Sequence, residues 1–285
     1  MPLPSSGPIS LNDVNVELGL AGTTSISMNS NIVRVLFAVP TDASSISMSN
    51  GYGKANVLTL NVPSQNNLNL RTFAVANGGS AYTKFVFNIT GNIGSTSTAA
   101  ALNTGTGWPA GTTITINIPN GVYVVGKGGD ASASDGGSFG GRYASSGGDA
   151  ISASLNITIV NNGVIGGGGG GGGGVVLQGG CTAFGGGGAG LVAGTRTGIG
   201  GSNGSLTTGS TSVGGFYCYA YYNWSGSGGR GGNLGEDGVD GSLSVDGYGQ
   251  GEGANTRGLA GRAIVKNGNT VTTSGSGSIL GAVVA

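Results

Sequence analysis

Val164-Ile165-Gly166-Gly167-Gly168-Gly169-Gly170-Gly171-Gly172-Gly173-Gly174-Val175-Val176-Leu177 is the stretch whose reading decides the fold. Glycine loses more conformational freedom on ordering than any other residue, about 0.5–1 kcal/mol more than alanine in a regular element. Nine in a row therefore cost on the order of 5–9 kcal/mol, comparable to the net stability of a whole domain. Two readings follow. The run is a disordered tether, or it adopts a geometry that only glycine permits.

The sequence further along favours the second. Gly229, Gly232, Gly235, Gly238 and Gly241 recur every third residue, as do Gly258 and Gly261. Three residues per turn is the polyproline II period, and that helix makes no internal hydrogen bonds. Its amides must bond elsewhere, and without Cβ atoms such helices can approach closely enough to bond one another, with weak Cα–H···O contacts in support. A helix surrounded on all sides needs glycine throughout, which makes Gly166–Gly174 a central helix. A helix packed on one face needs glycine at every third position, which makes Gly229–Gly241 a peripheral one.

Collagen fits poorly, because the chain has 65 Gly but only 7 Pro and the repeats are short. A Gly/Ser linker would be more uniform than a region that also carries Phe139, Tyr143, Phe184, Phe216, Tyr217, Tyr219, Tyr221, Tyr222 and Trp224.

Composition excludes several functions. Charged residues are 8%, eleven of each sign, while hydrophobic residues reach 37%, so the chain is expected to be ordered. No basic stripe is available for nucleic acid, and no apolar run approaches the roughly 20 residues of a membrane span. The first residues lack a signal-peptide pattern, which points to synthesis in a cytosol. With no His there is no imidazole base, and Cys181 and Cys218 alone cannot make a four-ligand zinc site. The two cysteines either form one disulfide or remain thiols.

Asp130, Asp135, Asp149, Glu236, Asp237, Asp240, Asp246 and Glu252 are read as solvated loop residues. Asp237-Gly238-Val239-Asp240-Gly241 lacks the rest of a calcium loop. No catalytic residue, cofactor or metal site is expected, and the chain reads as a binding or structural protein rather than an enzyme.

Residues 1–54 hold two short helical patterns. One carries Val14, Leu18 and Leu20; the other carries Ile32, Val33, Leu36 and Phe37 and ends before Pro40. Residues 55–118 read as a β-rich spacer. Its strands are expected at Val57–Val62, Leu68–Val75, Lys84–Thr90 and Thr112–Ile118, with Trp108 as a packing anchor. A further strand is expected over Ile151–Val160. The expected fold is mainly β and irregular: a small helical module (1–54), the β spacer (55–118) and a C-terminal bundle of polyglycine II helices (119–285).

Pro4-Ser5-Ser6-Gly7-Pro8-Ile9-Ser10-Leu11-Asn12-Asp13-Val14-Asn15-Val16-Glu17-Leu18-Gly19 and Ile46-Ser47-Met48-Ser49-Asn50-Gly51-Tyr52-Gly53-Lys54 resemble the opening and close of a module found in tailed-bacteriophage tail proteins. Gly166–Gly174, Gly185–Gly188 and the segment Gly258–Asn269 resemble the polyglycine-sandwich domain of tail-fibre-tip adhesins. The resemblance implies a tail protein assembled in the host cytoplasm and carried on the virion. It implies attachment through residues 1–54 to other tail or baseplate proteins, and loops that bind a host surface protein or glycan. By the same analogy it implies a homo-oligomer, with a trimer as the common form.

The densest aromatic cluster, Phe216, Tyr217, Tyr219, Tyr221, Tyr222 and Trp224, is the leading candidate for receptor contact, with Phe139, Tyr143 and Phe184 as neighbours. The alternatives are a purely structural tail component and, weakly, an antifreeze bundle.

Overall fold

A computed structural model describes residues 2–40, 45–132, 143–176, 182–196, 202–211, 215–218, 224–245 and 256–285. Near the N-terminus, α1 (Leu11–Glu17) starts at a capping box in which Ser10 and Asp13 bond each other's backbone amides. The second helix, α2 (Asn31–Phe37), stops at Ala38, which takes a left-handed conformation before Pro40. Val14, Leu18, Val33, Leu36 and Phe37 close on Leu3 and Ile9 to form a small core. Leu3 N–H donates to Lys54 O and Gly53 N–H to Pro4 O, which ties the two ends of this segment together.

From Val57 the chain winds into a three-sided parallel coil of five circuits. The first contains β1 (Val57–Val62), β2 (Gln65–Asn66) and β3 (Leu68–Asn69), and the second β4 (Lys84–Ile89), β5 (Ile93–Gly94) and β6 (Leu102–Asn103). The third contains β7 (Thr113–Ile118), β8 (Tyr123–Val125) and β9 (Ile151–Ser152). The fourth contains β10 (Ile157–Asn161), β11 (Val164–Gly166) and β17 (Ile264–Val265), and the fifth β18 (Val271–Ser274), β19 (Ser278–Leu280) and β20 (Val283–Val284). Equivalent strands stack into three five-stranded parallel sheets.

Strand alternation explains the coil. In β4, Phe85, Phe87 and Ile89 are buried while Lys84, Val86 and Asn88 are only partly so. Inward residues then line up circuit on circuit, as in Leu58, Phe85, Ile114, Ile157 and Val271. These rows merge into one apolar cluster. On the outer face Asn88 donates to Asn61 (3.2 Å) and Asn117 donates to Asn88 (2.8 Å), a short carboxamide ladder.

Two expected strands differ. The run Leu68–Val75 is a strand only as far as Asn69, whose side chain accepts from Thr72 N–H (3.0 Å) and caps a helix, α3 (Leu70–Ala76). Leu70 and Ala74, four residues apart, form its buried face, so the helical period outweighs β propensity there. Ile151–Val160 is divided between β9 and β10 by a corner at residues 153–156.

The three corners differ in what they carry. Between the second and third sheets the chain crosses with Asn67 alone, then with residues 95–101, 126–150, 167–263 and 281–282 in successive circuits. The glycine-rich stretches are thus insertions at one corner. The sheets begun within 57–118 continue through 123–125, 151–166 and 264–284. The coil docks to the N-terminal segment through buried Glu17. Its Oε1 accepts from Lys84 Nζ (2.8 Å) and Asn56 N–H (2.9 Å).

Candidate functional site

Glycine's absent side chain is used most fully at Gly166–Gly174. The amides of Gly168 and Gly171 donate to Gly148 O and Ser145 O; those of Gly169 and Gly172 to Ala189 O and Gly186 O; those of Gly170 and Gly173 to Glu236 O and Val239 O. The carbonyls of Gly166, Gly169 and Gly172 accept from Gly126, Gly129 and Ser132. Those of Gly167, Gly170 and Gly173 accept from Gly235, Gly232 and Gly229, and those of Gly168 and Gly171 from Gly261 and Gly258. The partner changes with each residue and returns every third, at N···O distances between 2.7 and 3.1 Å.

Six neighbouring passes therefore surround this one, and each backbone group of Gly167–Gly173 finds a partner without a conventional strand or helix. A Cβ added at Gly167, Gly168, Gly169, Gly170, Gly171 or Gly172 would overlap a neighbouring backbone carbonyl. Alanine has no space here. Gly186–Gly190 forms a second pass bonded to several neighbours, including Gly129, Gly229 and Ser202.

The stretch Gly229–Gly241, expected as one peripheral helix, folds back on itself. Gly235 has φ +72° and Glu236 N–H donates to Asn233 O, so two passes meet there. Gly229, Gly232 and Gly238 still face inward, each with a backbone carbonyl where a Cβ would lie.

Of the carboxylates expected as solvated loop groups, Asp237 and Asp240 are exposed yet also bind a neighbouring pass, and Asp130 and Asp149 are half-buried and bonded to one; Asp135, Asp246 and Glu252 lie outside the described residues. Asp240 and Asp237 accept from the amides of Arg257 and Ala260, both at 2.7 Å. The three-residue spacing repeats on both sides of that pairing, a signal already present in the sequence. Asp149 accepts from Arg262 N–H (2.8 Å) and forms a two-pronged pair with its guanidinium at 3.0 and 2.6 Å. This pairing raises the basicity of Arg262 above its ordinary value.

Asp130 accepts from the Thr195 amide and hydroxyl, both at 2.8 Å, and lies 2.7 Å from Lys127 Nζ. Burial pushes its carboxyl up, but these hydrogen bonds and the ammonium outweigh that and hold it below the usual carboxylate range. Among the described residues no cluster of three potential metal ligands occurs, and no helix is long and apolar enough to cross a membrane.

The sequence-selected aromatic residues are placed only in part. β14 (Gly215–Cys218), β15 (Trp224–Ser227) and β16 (Ser242–Val245) form an antiparallel meander that sets Phe216 opposite Gly226, Tyr217 opposite Ser225 and Cys218 opposite Trp224. A second hairpin joins β12 (Val175–Val176) to β13 (Thr182–Ala183). Both hairpins follow the glycine passes at their ends away from the coil.

Phe184 is half-buried, and its carbonyl lies where a Cβ on Gly228 would sit, which places it beside the end of β15. Tyr143 is 76% exposed. Its neighbour Ala144 donates to Thr256 O, and Ser145 O accepts from Gly171, so Tyr143 lies near the far end of the central pass. Phe139, Tyr219, Tyr221, Tyr222 and Cys181 lie outside the described residues, and with Cys181 goes the question of a Cys181–Cys218 disulfide.

A coil carrying glycine-rich insertions on one corner has a counterpart among sequence families: the phage tail fibre adhesin Gp38 family matches residues 57–284. The chain belongs to that family. The adhesin also shares its fold with a chain in the crystal structure of the gp37-gp38 adhesin tip complex of the bacteriophage S16 long tail fiber. The TM-score is 0.53 at 24% identity, over 97% of this adhesin and 100% of that chain. A search of curated proteins finds no match. Membership of a phage tail fibre adhesin family places the protein in the virion tail and points to a structural or binding role.

Proposed function

We propose that this adhesin binds a host-cell surface receptor, protein or glycan, through loops at the end of the glycine passes remote from the coil. Phe216, Tyr217, Tyr219, Tyr221, Tyr222 and Trp224 provide the main contact surface, and Phe139, Tyr143 and Phe184 flank it. The observation that carries this reading is architectural. A lattice in which every backbone group of Gly167–Gly173 is bonded to a neighbour forms a rigid base, and rigid elements are where precise binding loops are best mounted. Aromatic side chains add contact area at low entropic cost.

The three-residue return of the hydrogen-bond partners supports polyglycine II geometry for these passes. Residues 1–54 serve as the attachment module to the rest of the tail, in an oligomeric fibre. The gp37-gp38 complex of the structural relative supports another tail-fibre protein as that partner.

The test is adsorption of purified adhesin to host cells. Replacing all six residues of the main cluster by Ser should reduce binding at least tenfold with no fall in melting temperature. Unchanged adsorption would remove the receptor role from this cluster and favour a structural tail component.

A further inference from the structure

At the third corner of the coil, a different corner from the one that carries the glycine insertions, the turns 104–112, 153–156 and 266–270 stack over one another. Together they line an open groove of about 410 Å³, formed by Trp108, Pro109, Leu155, Asn156, Asn269 and Ser154 among others. That volume lies near the small end of the roughly 300–1,000 Å³ range of small-molecule sites. The geometry points to this groove as a binding site for a neutral hexopyranose unit.

Trp108 is held by its single donor and by ring packing, and each asparagine by one half of its carboxamide. Trp108 donates from Nε1 to Thr104 O (3.0 Å). It packs edge-on to Phe85 with centroids 4.9 Å apart, and the Arg71 guanidinium lies 5.0 Å from its ring centre. Asn156 Oδ1 accepts from Thr270 N–H (2.8 Å), and Asn269 Nδ2 donates to Ala153 O (3.2 Å) and Lys266 O (3.0 Å).

The other halves remain available. Among the described residues, Asn156 Nδ2, Asn269 Oδ1 and the hydroxyls of Ser154 and Thr106 have no protein partner. The groove thus offers a fixed donor, a fixed acceptor and adaptable hydroxyls beside an indole, a proline ring and a leucine.

No ionisable side chain lines the groove, so it gives no anchor to phosphate, carboxylate or ammonium. A wholly apolar ligand would desolvate two carboxamides without replacing their bonds. A pyranose satisfies both requirements, since its hydroxyls exchange hydrogen bonds with the carboxamides and its C–H face covers apolar surface. Thr106, Ser154 and Asn156 are exposed, so the groove is shallow and affinity for a single unit should be about 1–10 mM. This site is independent of the aromatic loops, and neither proposal depends on the other.

Saturation-transfer NMR on the full chain tests it, with glucose, galactose and N-acetylglucosamine as probes and mannitol as the acyclic control. At least one hexopyranose should give saturable transfer that mannitol does not. Ser154→Phe, which fills the groove from an exposed position, should weaken it at least tenfold while melting stays unchanged. Thr106→Phe gives a second exposed block should Ser154→Phe disturb the fold. Absence of saturable transfer up to about 50 mM, equal transfer from mannitol, or full retention of binding in the blocked variants would overturn the assignment.

Discussion

The coil and the glycine block obey opposite rules of construction within one chain. In the coil, strands pair by repeat and side chains fill the centre. Phe87, Ile116, Ile159 and Ile165 are all fully buried, each worth about 1.5–3 kcal/mol of transfer free energy. In the block, side chains are what must be kept out. Stability there comes from completed backbone hydrogen bonds, about 0.5–1.5 kcal/mol net apiece, set against the high ordering cost of glycine. The coil should therefore tolerate volume-conserving exchange, and the block should reject even a methyl group.

Gly170→Ala is the strongest way to break this contrast. The added Cβ meets Gly258 O and has nowhere to move, so a loss above about 4 kcal/mol is expected. Hydrogen exchange should find the amides of residues 167–173 unprotected while those of β4, β7 and β10 stay slow. Native-like protection in the block would disprove the close-packed account.

Ile116→Ala should cost about 2–5 kcal/mol as a core cavity. Ile116→Leu should cost less than about 1.5 kcal/mol, measured by denaturant unfolding.

Glu17→Gln tests the junction between coil and N-terminal segment. Burial raises this carboxyl, but hydrogen bonds from Lys84 and Asn56 outweigh it and leave its pKa lowered. The group therefore stabilises the fold fully above the ordinary carboxylate range, and the contribution is lost as pH falls below about 4 through the folded value. The partly exposed lysine limits the effect, so the variant should lose about 1–3 kcal/mol at neutral pH and show a shallower acid transition.

Gly268→Ala is the smallest change. Its φ is +78° but nothing lies within 4 Å of the new Cβ, so only backbone strain of about 1–2 kcal/mol is expected. The gap between this value and that of Gly170→Ala measures how far crowding, rather than conformation, fixes glycine in the block.

Much of this was legible in the sequence. Alternation in Lys84–Ile89 and Thr113–Ile118 marked strands, and the apolar spacing of Val14 and Leu18 and of Ile32, Val33, Leu36 and Phe37 marked α1 and α2. The period of three in Gly229–Gly241 pointed to passes that bond only to one another. What could not be read was long-range order. Nothing local shows that Ile165 and Ile264 belong to the same circuit, or that Gly235 reverses the chain. Leu68–Val75 carried β-branched residues and a helical face together, and the cap at Asn69 decided between them. At the candidate receptor end, aromatic composition singles out candidate residues, but the positions of the side chains that would meet a ligand depend on loop conformation that no short pattern encodes.

The return of hydrogen-bond partners every third residue also imposes a phase on how this protein can vary. Lengthening a pass by one residue would turn every later position toward a different neighbour, driving side chains such as Arg230 or Val239 into spaces that admit only hydrogen. Lengthening it by three leaves every assignment intact. Viable insertions and deletions within the passes should therefore come in steps of three codons, while the loops beyond them can drift freely in length. Sequence change in those loops leaves the lattice beneath them untouched, as long as the count of residues within each pass stays in register.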